Sequence, residues 1–119
     1  MPLSLFILFA AVPVSPPTNV TATVISSTEI LTMWDVVPPI DQNGIITMYE
    51  VLYQPLETFN GTIEPAVVNI MTPNTSVILT DLEEYVLYNI SVRAFTEAGS
   101  SEYASAPLVR TLEDGNFTN

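Results

Sequence analysis

The chain has 119 residues and a formal net charge of −11, from 13 acidic and 2 basic residues, and it contains neither His nor Cys. That charge disfavours nucleic acid and anionic membrane surfaces, because both need clustered Lys and Arg. The missing His and Cys exclude Ser-His-Asp and Cys-His catalysis, zinc sites built from those residues, and any disulfide.

Residues 3–12 form an apolar run. It is too short to cross a bilayer, which takes about 20 residues. Its length is that of a signal-peptide hydrophobic region. No basic residue precedes it, and Pro13-Val14-Ser15-Pro16-Pro17 makes a poor cleavage site. Residues 1–15 therefore read as a signal-like leader or as the start of a fragment. Membrane attachment would need a further segment downstream.

A first strand is predicted over residues 20–24, where Val20, Ala22 and Val24 alternate with Thr21 and Thr23. Ser26-Ser27-Thr28 turns the chain into a second strand, 29–35, which ends at Trp34 and Asp35. Pro38-Pro39 and Asp41-Gln42-Asn43-Gly44 break the pattern as a loop. The third strand, 46–53, places Tyr49, Val51 and Tyr53 on one phase. Residues 54–65 are a loop turning at Asn60-Gly61. A fourth strand over 66–71, a turn at 72–75 and a fifth strand over 76–80 follow, with Val77 and Leu79 inward.

The clearest alternation begins at Tyr88. Tyr88, Ile90, Val92 and Ala94 take one phase, and Asn89, Ser91 and Arg93 take the other. This is the period of a half-buried strand, the sixth, over 88–96. Leu82 lies six residues before Tyr88 with a polar turn between them, the signature of a sandwich corner whose Tyr bonds back to the backbone. After a turn at 97–101, a seventh strand is predicted over 108–112. Seven short strands at near-regular spacing predict an all-β, seven-stranded antiparallel immunoglobulin-like sandwich over residues 16–114. Residues 115–119 read as a linker or tail.

The catalytic inventory is thin. The chain has 4 Gly, no Gly-rich phosphate loop and no Lys. The carboxylate pairs Glu83-Glu84 and Glu113-Asp114 read as solvated turn residues, so neither an enzyme nor a cofactor is expected. Calcium on Glu113-Asp114 with Asp35 or Asp41 is a lesser alternative, without EF-hand spacing. Five sequons start at Asn19, Asn60, Asn74, Asn89 and Asn116. Their number favours an extracellular setting, although unmodified surface Asn remains the alternative at each. Phe59 and Tyr103 are loop aromatics and the leading interaction candidates, with Glu97 and Ser100 in the loop before the last strand.

Taken together, several motifs identify the chain as similar to a fibronectin type III domain. They are Pro16-Pro17 with Val20, Trp34 closing the second strand, and Asn43-Gly44-Ile45-Ile46 leading into Tyr49-Glu50-Val51-Leu52-Tyr53. They continue with Leu82, the run from Tyr88 to Ala94, Ala98-Gly99, and the closing Leu112-Glu113-Asp114. The resemblance implies a core of Trp34, Tyr49, Val51, Leu82, Tyr88, Ile90 and Val92. Two positions depart from the family's pattern. Thr32 stands where an aliphatic residue is usual, and Arg110 stands at a usually buried place. At Arg110 either the strand bulges by one residue or the side chain snorkels at an edge.

The loop over residues 96–103 carries integrin-binding motifs in some family members, but here it has no Arg-Gly-Asp. The resemblance implies a non-catalytic extracellular spacer or protein-binding module of an adhesion or receptor protein, with neighbouring modules of the same kind. A free-standing secreted acidic binder and an accessory domain of an extracellular enzyme are the alternatives.

Overall fold

The alternating segments pair into two antiparallel sheets. The computed structural model describes residues 11–57 and 66–113. The first sheet holds β1 (Thr18–Val24), β2 (Ile30–Asp35) and β5 (Ser76–Leu79), in the order β1-β2-β5. The second holds β3 (Met48–Pro55), β4 (Val68–Thr72) and β6 (Leu87–Thr96), in the order β4-β3-β6. Three short pieces, β7 (Gly99–Ser100), β8 (Ala104–Ser105) and β9 (Val109–Arg110), pair in succession along the free side of β6. They fill one strand position, so the architecture has seven positions. A 3-10 turn over Pro39–Asp41 is the one helical element among the described residues, and no described helix could cross a membrane.

The broken last strand has a specific cause. Phe95 faces Ser100, Val92 faces Ala104, and Tyr88 faces Val109. The register therefore slips by one residue at each break, as bulged strands do. This settles the phase of Arg110. Val109 packs against the core, Thr111 is buried, and Arg110 between them faces outward opposite Leu87.

The core lies between the sheets. Trp34 of β2 and Tyr49 of β3 meet edge to face across it, with ring centroids 5.5 Å apart, a favourable aromatic geometry. Val51, Leu82, Tyr88, Ile90 and Val92 are buried around them, as are Ile30, Leu79 and Val86. Thr32 takes the inward position two before Trp34 and is fully buried. At the corner, Leu82 N–H donates to the Thr28 carbonyl, and Glu83 N–H donates to Tyr88 Oη at 2.9 Å.

Residues 11–15, which the sequence placed in a leader, pack on the domain. Ala11 N–H donates to the Asn43 carbonyl and Val14 N–H to the Asp41 carbonyl. Thr96 Oγ1 donates to the Ala11 carbonyl and Ser15 Oγ to Asp41. Pro13 is buried. Residues 1–10 lie outside the described residues.

Candidate functional site: the outer face of the four-position sheet

Glu50 is the one carboxylate among the described residues that is buried. It lies on the outward phase of β3, between two inward core residues, Tyr49 and Val51. Antiparallel register sets Arg93 of β6 directly opposite it, and Arg93 Nε donates to Glu50 Oε1 at 2.6 Å. Asn69, from β4 on the other side, donates to Oε2 at 2.7 Å. Tyr103 reaches over from the loop between β7 and β8 and donates its hydroxyl to Oε1 at 3.1 Å. Burial pushes the Glu50 carboxyl up, but the three hydrogen bonds and the Arg93 charge outweigh it and hold the carboxyl below its ordinary value.

Arg93 is itself flanked by aromatic and hydroxyl side chains and is partly exposed. Its guanidinium stacks under the Tyr103 ring at 4.6 Å and lies 5.2 Å from the Phe95 ring. Its Nη1 donates to Ser100 Oγ at 3.0 Å. The cluster borders an open groove of about 650 Å³ whose lining includes residues 11–14, Asn43 and residues 100–103.

The chain's other cation is held in the same manner. Arg110 makes two bonds to the Glu57 carboxylate, at 3.1 and 2.8 Å, and stacks with Tyr85 at 4.9 Å. Tyr85 adopts a positive φ of 50° at the corner and is half exposed. The Arg110 bonds hold Glu57 below its ordinary value. Both basic residues are thus paired, and the unpaired charge of the surface is acidic.

The sequence candidates fall unevenly on this face. Ser100 and Tyr103 join the Arg93 cluster. Glu97 is exposed at the hairpin turn before β7. Phe59 lies outside the described residues, as do the sequon residues Asn60 and Asn116. Asn19 and Asn74 are exposed, and Asn89 is half buried within β6. The sequence reading missed Glu50, Arg93 and Asn69. The scarcity of basic residues was the available signal, since two cations among 13 carboxylates each find a partner. Among the described residues, no three carboxylates come together to hold a metal ion.

As geometry, the face is a pre-ordered polar and aromatic surface on a rigid sheet. Its one hydroxyl beside a carboxylate, Tyr103 on Glu50, is bound within the cluster, where the same Glu50 oxygen also accepts from Arg93.

Comparison with known proteins agrees with this architecture. The family profile described as fibronectin type III domain matches residues 15–111. Protein sidekick-1 of Gallus gallus is 39% identical over 105 residues, covering 87% of this chain and 5% of that protein. The phosphatidylinositol phosphatase PTPRQ of Rattus norvegicus is 42% identical over 102 residues, covering 85% of this chain and 4% of that protein. Among solved structures, the third fibronectin III domain of human KIAA0343 protein superposes with a TM-score of 0.72 at 23% identity, covering 93% of each chain. The chain therefore spans about one-twentieth of the length of the curated relatives it matches. With the profile, the sandwich and these relatives in agreement, the chain belongs to the fibronectin type III family.

Proposed function

We propose that this chain is a non-catalytic extracellular module of an adhesion or receptor-type protein, serving as a rigid spacer and a protein-binding surface. The observation that carries this reading is where the chain enters and leaves. It enters near Thr18, which pairs with Asp35 at one end of β2. It leaves at Leu112, whose N–H reaches the Ser26 carbonyl beyond the far end of β1. The length of β1, roughly 20 Å at strand rise, separates the two points. A unit threaded end to end can be strung in line with others. Relatives many times longer than this chain support that arrangement.

The protein partner would be met through the acidic surface. With both arginines paired, a basic partner is steered toward it, and the Arg93–Tyr103 face offers aromatic and hydroxyl contacts. Residues 11–113 form the working unit on this reading, with neighbouring modules of the same kind joined at its two ends.

An antibody to residues 16–114 tests the location. Staining of intact, unpermeabilised cells and loss of signal on mild surface proteolysis support the reading. Signal confined to the cytosolic fraction overturns it.

A further inference from the structure

We infer that Asn19 is a glycosylation site whose oligosaccharide lies along the outer face of β1, β2 and β5 and covers Met33. The inference rests on the extracellular reading above. Three observations carry it.

The first is the composition of that face. β1, β2 and β5 together hold a single charged residue, Asp35, in a chain of net charge −11. Their outward positions are instead Thr21, Thr23, Leu31, Met33, Ser76 and Ile78. Met33 and Ile78 are 48% and 47% exposed. Hydroxyls interleaved with apolar side chains match the two kinds of surface a pyranose presents, its hydroxyl rim and its C–H face.

The second is the direction of the Asn19 side chain. Asn19 sits at an irregularity in the β1–β2 register, with φ of 51°. Its Nδ2 donates to Asp35 Oδ2 at 2.7 Å. Asp35 and Met33 share the outward phase of β2, roughly 7 Å apart at strand rise. The attachment atom is therefore held at the edge of the uncharged face.

The third is chemical compatibility. The sequon Asn19-Val20-Thr21 is intact. In the transfer, the Asn19 amide nitrogen attacks the anomeric carbon of a lipid-linked oligosaccharide pyrophosphate. The C–N bond forms, the sugar–pyrophosphate C–O bond breaks, and the lipid pyrophosphate leaves with its electron pair. One amide proton passes to a base on the transferase. The second amide proton stays on nitrogen, so in the folded domain it can still bond Asp35 and orient the first sugar. The other described sequons lack this arrangement: Asn74 lies in the exposed turn before β5, and Asn89 is half buried within β6.

The test is secretion of the full chain from mammalian cells behind a cleavable leader, followed by site-resolved glycopeptide mass spectrometry. Thr21→Val keeps Asn19 and a β-branched residue but removes the sequon, and Thr21→Ser keeps it. The expected result is glycan on Asn19 in the wild type and Thr21→Ser, and none in Thr21→Val. Peroxide oxidation of Met33 is expected to run several-fold slower in the glycosylated forms than in Thr21→Val. A secreted chain with glycan only at other sequons overturns the site and leaves the extracellular reading standing. Asn19 glycosylated with Met33 oxidised as fast as in Thr21→Val overturns the covering role. A native protein confined to the cytosol overturns both readings.

Discussion

Thr32 Oγ1 and Trp34 Nε1, two positions apart on the inner face of β2, are both buried without a hydrogen-bond partner among the described residues. A buried hydroxyl without a partner carries a desolvation cost of about 1–3 kcal/mol. Valine has nearly the same shape without that cost. Thr32→Val is therefore expected to stabilise the domain by about 1–2 kcal/mol, read from the urea midpoint at unchanged slope. A lower midpoint would show that the hydroxyl has a partner in solution.

Trp34 itself anchors the packing of the two sheets, because it meets Tyr49 of the opposite sheet. Trp34→Ala removes the largest side chain of the core and is expected to cost about 3–5 kcal/mol. Circular dichroism with a thermal melt checks this. An unchanged melting temperature would contradict the assignment of Trp34 to the core.

Tyr88 Oη accepts the Glu83 N–H at 2.9 Å, tying the corner to the start of β6. Tyr88→Phe keeps the ring and removes that acceptor. The site is partly exposed, so water can serve the freed N–H, and the expected loss is about 1 kcal/mol. Hydrogen exchange at Glu83 should accelerate in the variant. Unaltered exchange would mean that the bond does not protect this amide.

Much of the fold was legible because its signals are local. Alternation from Tyr88 to Ala94 predicts a strand, and all four apolar members of that run are buried. The third strand was expected over 46–53 and is observed over Met48–Pro55, because register with β6 sets its ends, from Met48 opposite Phe95 to Pro55 opposite Tyr88. The last strand was expected as one piece over 108–112. It is three, because two one-residue slips against β6 depend on partner geometry that no single-strand pattern encodes. Glu50 was missed for a related reason. Its outward phase reads as solvent-facing, and only cross-sheet register places Arg93, Asn69 and Tyr103 over it. The docking of residues 11–15 on Asp41, Asn43 and Thr96 is likewise a long-range pairing.

That docking has a consequence for the boundary of the domain. Residues 11–15 make several hydrogen bonds and bury Pro13, but ordering them costs entropy that offsets much of the gain. A chain beginning at Pro16 is expected to be less stable than one beginning at Ala11 by about 1–2 kcal/mol. Equal denaturation midpoints would place the boundary at Pro16. Gly99→Ala reports on the same contact. Gly99 has a φ of 143°, and an added Cβ would stand 3.1 Å from Val12 Cγ1. That variant should also destabilise.

Glu50 provides the pH dependence. Its carboxyl is held below its ordinary value in the folded chain, so the unfolded chain binds the proton more readily. The stabilisation is then fully present above the unfolded carboxylate value, about 4.3. It is lost as pH falls below that value and through the lower folded one. Glu50→Gln keeps the shape and one acceptor but removes the charge that Arg93 needs. Because Arg93 is partly exposed (30%), the expected cost at neutral pH is about 1–3 kcal/mol, below that of breaking a fully buried pair. The gap between wild type and variant should narrow as pH drops from 5 toward 3, since the wild-type carboxyl begins to take up its proton below the unfolded value. A gap that stays constant across this range would mean that Glu50 titrates normally, and that the pairing with Arg93, Asn69 and Tyr103 contributes nothing through its charge.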